Sequence, residues 1–264
     1  MYQRKTTTLI QSLLLATLLS NVLIVSACSA ESSSTPVLSN QDTPAEIYEL
    51  GLAYYEGDSV PQDYEKAFSL FKKSADQEYV EAQFNLGVMY ENGIGVNQDY
   101  KKAMQSYLSA ARNGDFEARN NIGSLYYFGK GVTQNYDKAF KWYKEAADQD
   151  VGIAQFNIGG FYENGYGVTQ DYDKAFEWYT KAADQGLNVA QLNIGGLYEN
   201  GYGVPQDYDK AFEWYQKAAD QGNQEASNRI GRLVMNGKID DKDIVIYSTQ
   251  ETGLTLGDIE DMSQ

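Results

Sequence analysis

Within residues 154–189 the apolar positions form two helical stripes separated by a glycine-rich loop. Ala154, Ile158, Gly159 and Tyr162 recur at i, i+4, i+5 and i+8, the spacing of one face of a 3.6-residue helix. Gly165 stops that run, as glycine does just past a helix C-terminus. The loop GYGVTQ follows, and Asp171 is placed to accept from the first free amides of a second helix. That helix runs through Tyr172–Asp184, with Ala175, Tyr179, Ala182 and Ala183 on its apolar stripe. Gln185-Gly186 closes a helix–loop–helix unit.

The unit repeats. Gly51, Gly87, Gly123, Gly159, Gly195 and Gly231 stand on one register of 36 residues, and no insertion breaks it. Tyrosines 54, 90, 126, 162 and 198 keep the same step, as do alanines 67, 103, 139, 175 and 211 and alanines 75, 111, 147, 183 and 219. A fixed period of this size marks a solenoid of supersecondary units that bury their faces against one another. Residues 154–189 and 190–225 agree at 29 of 36 positions, which points to recent duplication. A mid-helix glycine costs about 0.5–1 kcal/mol relative to alanine. Holding it in six units implies close approach of the second helix, with small residues set against large tyrosines.

The segment Ala190–Val204, Ala-x3-Ile-Gly-x2-Tyr-x2-Gly-x-Gly-Val, and the segment Lys210–Ala219, Lys-Ala-x2-Trp-Tyr-x-Lys-Ala-Ala, resemble the Sel1-like repeat family, a relative of the tetratricopeptide repeats. The resemblance covers residues 45–237. It implies an all-α, right-handed α-solenoid of five full repeats plus a capping helix, Ala226–Asn236, with first helices on the concave side. The family's usual work is to scaffold protein complexes. Some secreted members carry a cysteine pair in each repeat. This chain has a single cysteine, so activities tied to that subgroup are not carried over.

Residues 1–27 read as a signal peptide. Arg4 and Lys5 precede a largely apolar stretch, Leu9–Val25, and Val25-Ser26-Ala27-Cys28 resembles a bacterial lipobox. By that resemblance Cys28 carries the lipid, each buried CH2 contributing about 0.8 kcal/mol to anchoring. Ser29 in place of aspartate favours the outer membrane, facing the periplasm. Residues 28–44 are rich in Ser, Thr and Pro and read as a flexible tether. Residues 238–264 leave the repeat pattern as an acidic tail, in which KIDDKDIVIYS is expected to add a short strand or pack as a cap.

Charge narrows the partners. The chain has 21 Lys and Arg against 37 Asp and Glu, a formal charge of −16, and removal of Arg4 and Lys5 takes it to −18. Nucleic-acid binding needs the opposite sign. The acidic balance fits either a solvated exterior or a basic protein partner. The absence of histidine removes the Ser-His-Asp and Cys-His mechanisms and the usual zinc ligand sets. Asp171, Asp173, Glu177 and Asp184 recur in phase with other repeats, as caps and surface positions do. Gly201-Tyr202-Gly203 and its equivalents follow a helix and lack the lysine of a phosphate loop. No catalytic residue, metal site or cofactor is expected.

Candidate partner contacts lie on the first helices. Asn85, Asn121, Asn157 and Asn193 form a polar column two residues before the glycine, and Arg229 takes that place in the last unit. Asparagine is a poor mid-helix residue. Two readings fit: amides that bond an extended peptide, or bridges between adjacent helices. The third unit departs most, with Arg119, Asn120, Asn121, Tyr127 and Phe128, and is the expected centre of a partner footprint. Trp142, Trp178 and Trp214 read as packing between repeats. The expected role is a lipid-anchored envelope scaffold or adaptor that binds a protein. A periplasmic immunity protein neutralising a toxic effector is the alternative, and an envelope hydrolase is a third reading.

Overall fold

The structure, a computed structural model, describes residues 42–239. The signal segment, Cys28, most of the tether and nearly all of the acidic tail lie outside the described residues. Among the described residues there are eleven α-helices and no strand. They are α1 (Pro44–Glu56), α2 (Tyr64–Ala75), α3 (Val80–Asn92), α4 (Tyr100–Arg112), α5 (Phe116–Phe128), α6 (Tyr136–Ala147), α7 (Gly152–Asn164), α8 (Tyr172–Asp184), α9 (Asn188–Asn200), α10 (Tyr208–Asp220) and α11 (Gln224–Met235). Each helix packs against its successor, so five first–second pairs stack in chain order and α11 closes the series. This is an α-solenoid.

The ends of the helices follow from single residues. Every second helix starts at an extended Asp or Asn whose side chain accepts from the amide three residues on: Asp63, Asp99, Asn135, Asp171 and Asp207. Five first helices end on a glycine in the left-handed region, as at Gly165 with φ 70°. A residue with a Cβ is strained there, whereas glycine is not. A glutamine then staples the loop, as where Gln170 Nε2 donates to the Glu163 carbonyl at 2.8 Å and to the Tyr172 hydroxyl at 3.0 Å. The closing helix begins two residues before the expected Ala226, because Asn223 accepts from the Ala226 amide at 3.1 Å and caps it.

Packing inside a repeat turns on the mid-helix glycine. A Cβ on Gly159 would lie 2.6 Å from two carbons of the Tyr179 ring, and Gly87, Gly123 and Gly195 meet Tyr107, Tyr143 and Tyr215 in the same way. In the first unit Phe71 replaces the tyrosine opposite Gly51. Ala175, Tyr179, Ala182 and Ala183 are all buried, as the second-helix stripe requires.

Packing between repeats uses the loop. Tyr166 stacks on Tyr136 of the preceding repeat at 4.9 Å, and Tyr202 stacks on Tyr172 at 4.7 Å. In the same column, Lys130 sits over Tyr100 at 5.3 Å and Lys238 over Tyr208 at 4.8 Å. Trp142, Trp178 and Trp214 are half-buried, each against the core cluster of the preceding repeat. Among the described residues no helix is long and apolar enough to cross a membrane.

Candidate partner-binding surface

The asparagine column tie neighbouring repeats together in one of two ways. Where the preceding first helix offers a polar group, the amide donates to it: Asn85 Nδ2 to the Tyr48 hydroxyl at 3.0 Å, and Asn157 Nδ2 to Asn120 Oδ1 at 3.0 Å. Where that position is Phe84 or Phe156, the amide turns to the preceding second helix. Asn121 then meets the Tyr107 hydroxyl and Asn193 the Tyr179 hydroxyl. Asn120 also donates to Asn121 Oδ1 at 3.3 Å. Asn85, Asn120 and Asn121 are buried, at 8%, 2% and 3% exposure. Burial takes these three off any partner-facing surface and makes them bridges between helices. Asn157 and Asn193 keep half-buried side chains at the surface.

A second column escaped the reading of the sequence. Glu91, Glu163 and Glu199 sit four residues after the mid-helix glycine, and each accepts from the second-helix tyrosine of its own repeat. Tyr107 donates to Glu91 at 2.9 Å, Tyr179 to Glu163 at 2.6 Å, and Tyr215 to Glu199. The signal was present as one more column on the 36-residue register, interrupted by Tyr127 in the third unit. Burial, followed by the charge of the partner glutamate, pushes the Tyr107 and Tyr179 hydroxyls well above the ordinary phenol range. Burial also raises the Glu163 carboxyl, against the opposing bond from Tyr179.

The third unit is built differently because Tyr127 replaces the glutamate. Tyr143 pairs with Ser124 at 3.0 Å instead. The Tyr127 ring lies 4.8 Å from Phe128, 5.3 Å from Tyr136 and 5.6 Å from Phe161, and burial raises its hydroxyl to about 12. Arg119 occupies a position held elsewhere by Gln83, Gln155 and Gln191. Those glutamines accept from Asn113, Gln185 and Gln221 at the end of their own second helix. Arg119 instead bonds the Ala111 carbonyl at 3.2 Å and Glu145 at 3.1 Å, and its buried Nε has no partner. With Leu108, Ala111, Arg112, Trp142 and Glu145 it lines a recess of about 200 Å³. Most of these residues belong to second helices, and none of the column asparagines is among them.

The described residues hold no group of three or more His, Cys, Asp or Glu side chains able to take a metal ion. The surface offers hydrogen bonds and charge to a partner.

Comparison with known proteins agrees with this architecture. The Sel1 repeat model matches residues 47–79, 80–115, 116–151, 152–187 and 188–223. The chain is 33% identical to a Sel1 repeat protein from Oxalobacter formigenes, with a TM-score of 0.71 over 76% of this chain and 82% of that one. It is 36% identical to c5321, a protective antigen of uropathogenic Escherichia coli strains with an SLR fold, with a TM-score of 0.69. That match covers 75% of this chain but only 43% of the other protein's length. No curated protein matches.

Proposed function

The chain belongs to the Sel1 repeat family, and from that premise we propose that it is a non-catalytic adaptor, held in a bacterial envelope by lipid on Cys28, whose first helices bind a basic protein. The observation that carries this reading is the acidic balance of a regular repeat array, 37 Asp and Glu against 21 Lys and Arg for a net charge of −16, with Glu163 of the first-helix glutamate column left without a cation of the chain's own among the described residues. Charge complementarity of this kind raises association rates and selects against acidic partners. The lipobox-like Val-Ser-Ala-Cys supports an outer-membrane address facing the periplasm. The missing histidine and the repetition of each acidic residue support a role in binding rather than turnover.

The test is affinity capture from the native envelope after light crosslinking, using the full chain and a version lacking residues 152–187. That deletion removes α7 and α8, with Glu163, as one unit in register, and stacked repeats tolerate it because each contacts only its neighbours. The expected result is one dominant basic partner, lost with the deletion, and incorporation of labelled fatty acid that Cys28→Ser abolishes. Capture of a toxic effector would make the chain an immunity protein. Absence of any enriched partner would overturn the adaptor reading.

A further inference from the structure

The glutamate column contains its own comparison. The repeat that follows Glu91 supplies a cation to it, with Lys130 Nζ 3.6 Å away. The unit that follows Glu199 does the same, with Arg229 Nη1 at 3.2 Å. Arg229 makes this bond to a residue thirty positions earlier. For Glu163 the corresponding places hold Tyr202, in the Lys130 column, and Asn193, in the Arg229 column. Among the described residues no lysine or arginine lies within 4.0 Å of the Glu163 carboxylate, whose one side-chain bond is to Tyr179.

Space is left beside it. A Cβ on Gly160 would meet only the Tyr179 hydroxyl, at 3.6 Å, and one on Gly196 only the Tyr215 hydroxyl, at 3.8 Å. These are ordinary contacts, so internal packing does not demand glycine at either position. The third unit carries Ser124 there and the second Val88. The first-helix surface is therefore cut back beside Glu163 as it is beside Glu199, and of these two only Glu163 has no cation from the chain within 4.0 Å among the described residues.

We infer that Glu163 receives a lysine or arginine side chain of the partner protein, completing from outside the ion pair that the chain makes for itself at Glu91 and Glu199. The entering cation lies against the Glu163 carboxylate from the side of Gly160, since Asn193 on α9 holds the column position of Arg229 and bonds the Tyr179 hydroxyl. A half-buried carboxylate already held by one donor makes a charge-assisted bond with little reorganisation. This inference rests on the protein-binding reading and assigns its chemistry.

The experiment measures binding of two capped peptides, Gly-Gly-Arg-Gly-Gly and Gly-Gly-Gln-Gly-Gly, by NMR titration of the full soluble chain. The arginine peptide is expected to bind about tenfold more tightly, the scale of one charge-assisted bond, with shifts centred on α7 and α9. Glu163→Gln and Asn193→Arg are each expected to abolish the preference, the second by filling the place with the chain's own guanidinium. Glu177→Gln, at an exposed position on α8, should leave it intact. Equal binding of the two peptides, or a preference that survives Glu163→Gln, overturns the inference. A captured protein partner whose binding is unchanged by Glu163→Gln overturns it too, while leaving the adaptor reading standing. Peptide binding at Glu163 with no captured protein would overturn the adaptor reading, and with it the assignment of the cation to a partner protein.

Discussion

Gly159 lies against the ring of Tyr179, so close that a Cβ on the glycine would fall 2.6 Å from two ring carbons. The contact lets the tyrosine carry its hydroxyl past the first helix to Glu163, on the surface proposed to meet a partner. One small residue thus governs both the packing of a repeat and the placing of its polar column.

Two glycine substitutions should move stability in opposite directions. Gly159→Ala forces an overlap with an aromatic ring and is expected to cost about 1–3 kcal/mol. Gly231→Ala occupies the same register position in α11, where nothing lies within 4 Å of the added carbon. It should stabilise by up to about 1 kcal/mol through helix propensity. Denaturant unfolding of both variants decides the matter; equal signs would refute the packing argument.

The tyrosine hydroxyls should not be equivalent. Tyr179→Phe removes the donor to a charged, half-buried carboxylate and is expected to cost about 1.5–3 kcal/mol, the range for bonds to charged groups. Tyr143→Phe loses a neutral bond to Ser124 and should cost about 0.5–1.5 kcal/mol. Thermal unfolding of the pair would show the difference, and equal losses would contradict it.

Glu163 gives stability a pH dependence of known sign. Burial raises its folded pKa above the unfolded value, so the folded state binds the proton more tightly. Its ionised form therefore weakens the fold at neutral pH, and that penalty disappears as pH falls through the raised folded pKa toward the unfolded one. Glu163→Gln should melt higher than the parent at pH 7, with the gap closing in acid. Asp63, Asp171 and Asp207 have the opposite sign. Backbone and lysine hydrogen bonds lower their pKa values, so their contribution is full above the ordinary carboxylate range and is lost as pH falls through the lowered values. A pH series of melting curves for parent and Glu163→Gln separates the two effects, because only the carboxamide variant lacks the Glu163 contribution.

Asn193→Arg should raise the melting temperature by pairing with Glu163, as Arg229 pairs with Glu199 across the same thirty residues. The gain should vanish in a Glu163→Gln background. A gain that persists there would assign the stabilisation to some other contact.

Much of the fold is legible in the sequence because its causes are local. Asp171 caps the helix that begins beside it, Gly165 ends the one before it, and the stripe Ala175, Tyr179, Ala182, Ala183 is the buried face. The Gly159–Tyr179 contact was also readable, since small and large columns run in phase. The surface was less so. Whether an asparagine turns to a first or a second helix depends on the residue 37 positions earlier, polar at Tyr48 and Asn120 but apolar at Phe84 and Phe156. The link from Tyr179 to Glu163 spans 16 residues and appears only once the helices are paired. Arg119 looked like a member of the same footprint, yet it reaches the Ala111 carbonyl and lines a recess formed mainly by second helices.

The most direct measurement is amide hydrogen exchange on the chain with and without its captured partner. The account predicts slowed exchange along α7 and α9, centred on Glu163, with the second helices around the Arg119 recess unchanged. Protection confined to those second helices, or none along α7 and α9, would contradict it.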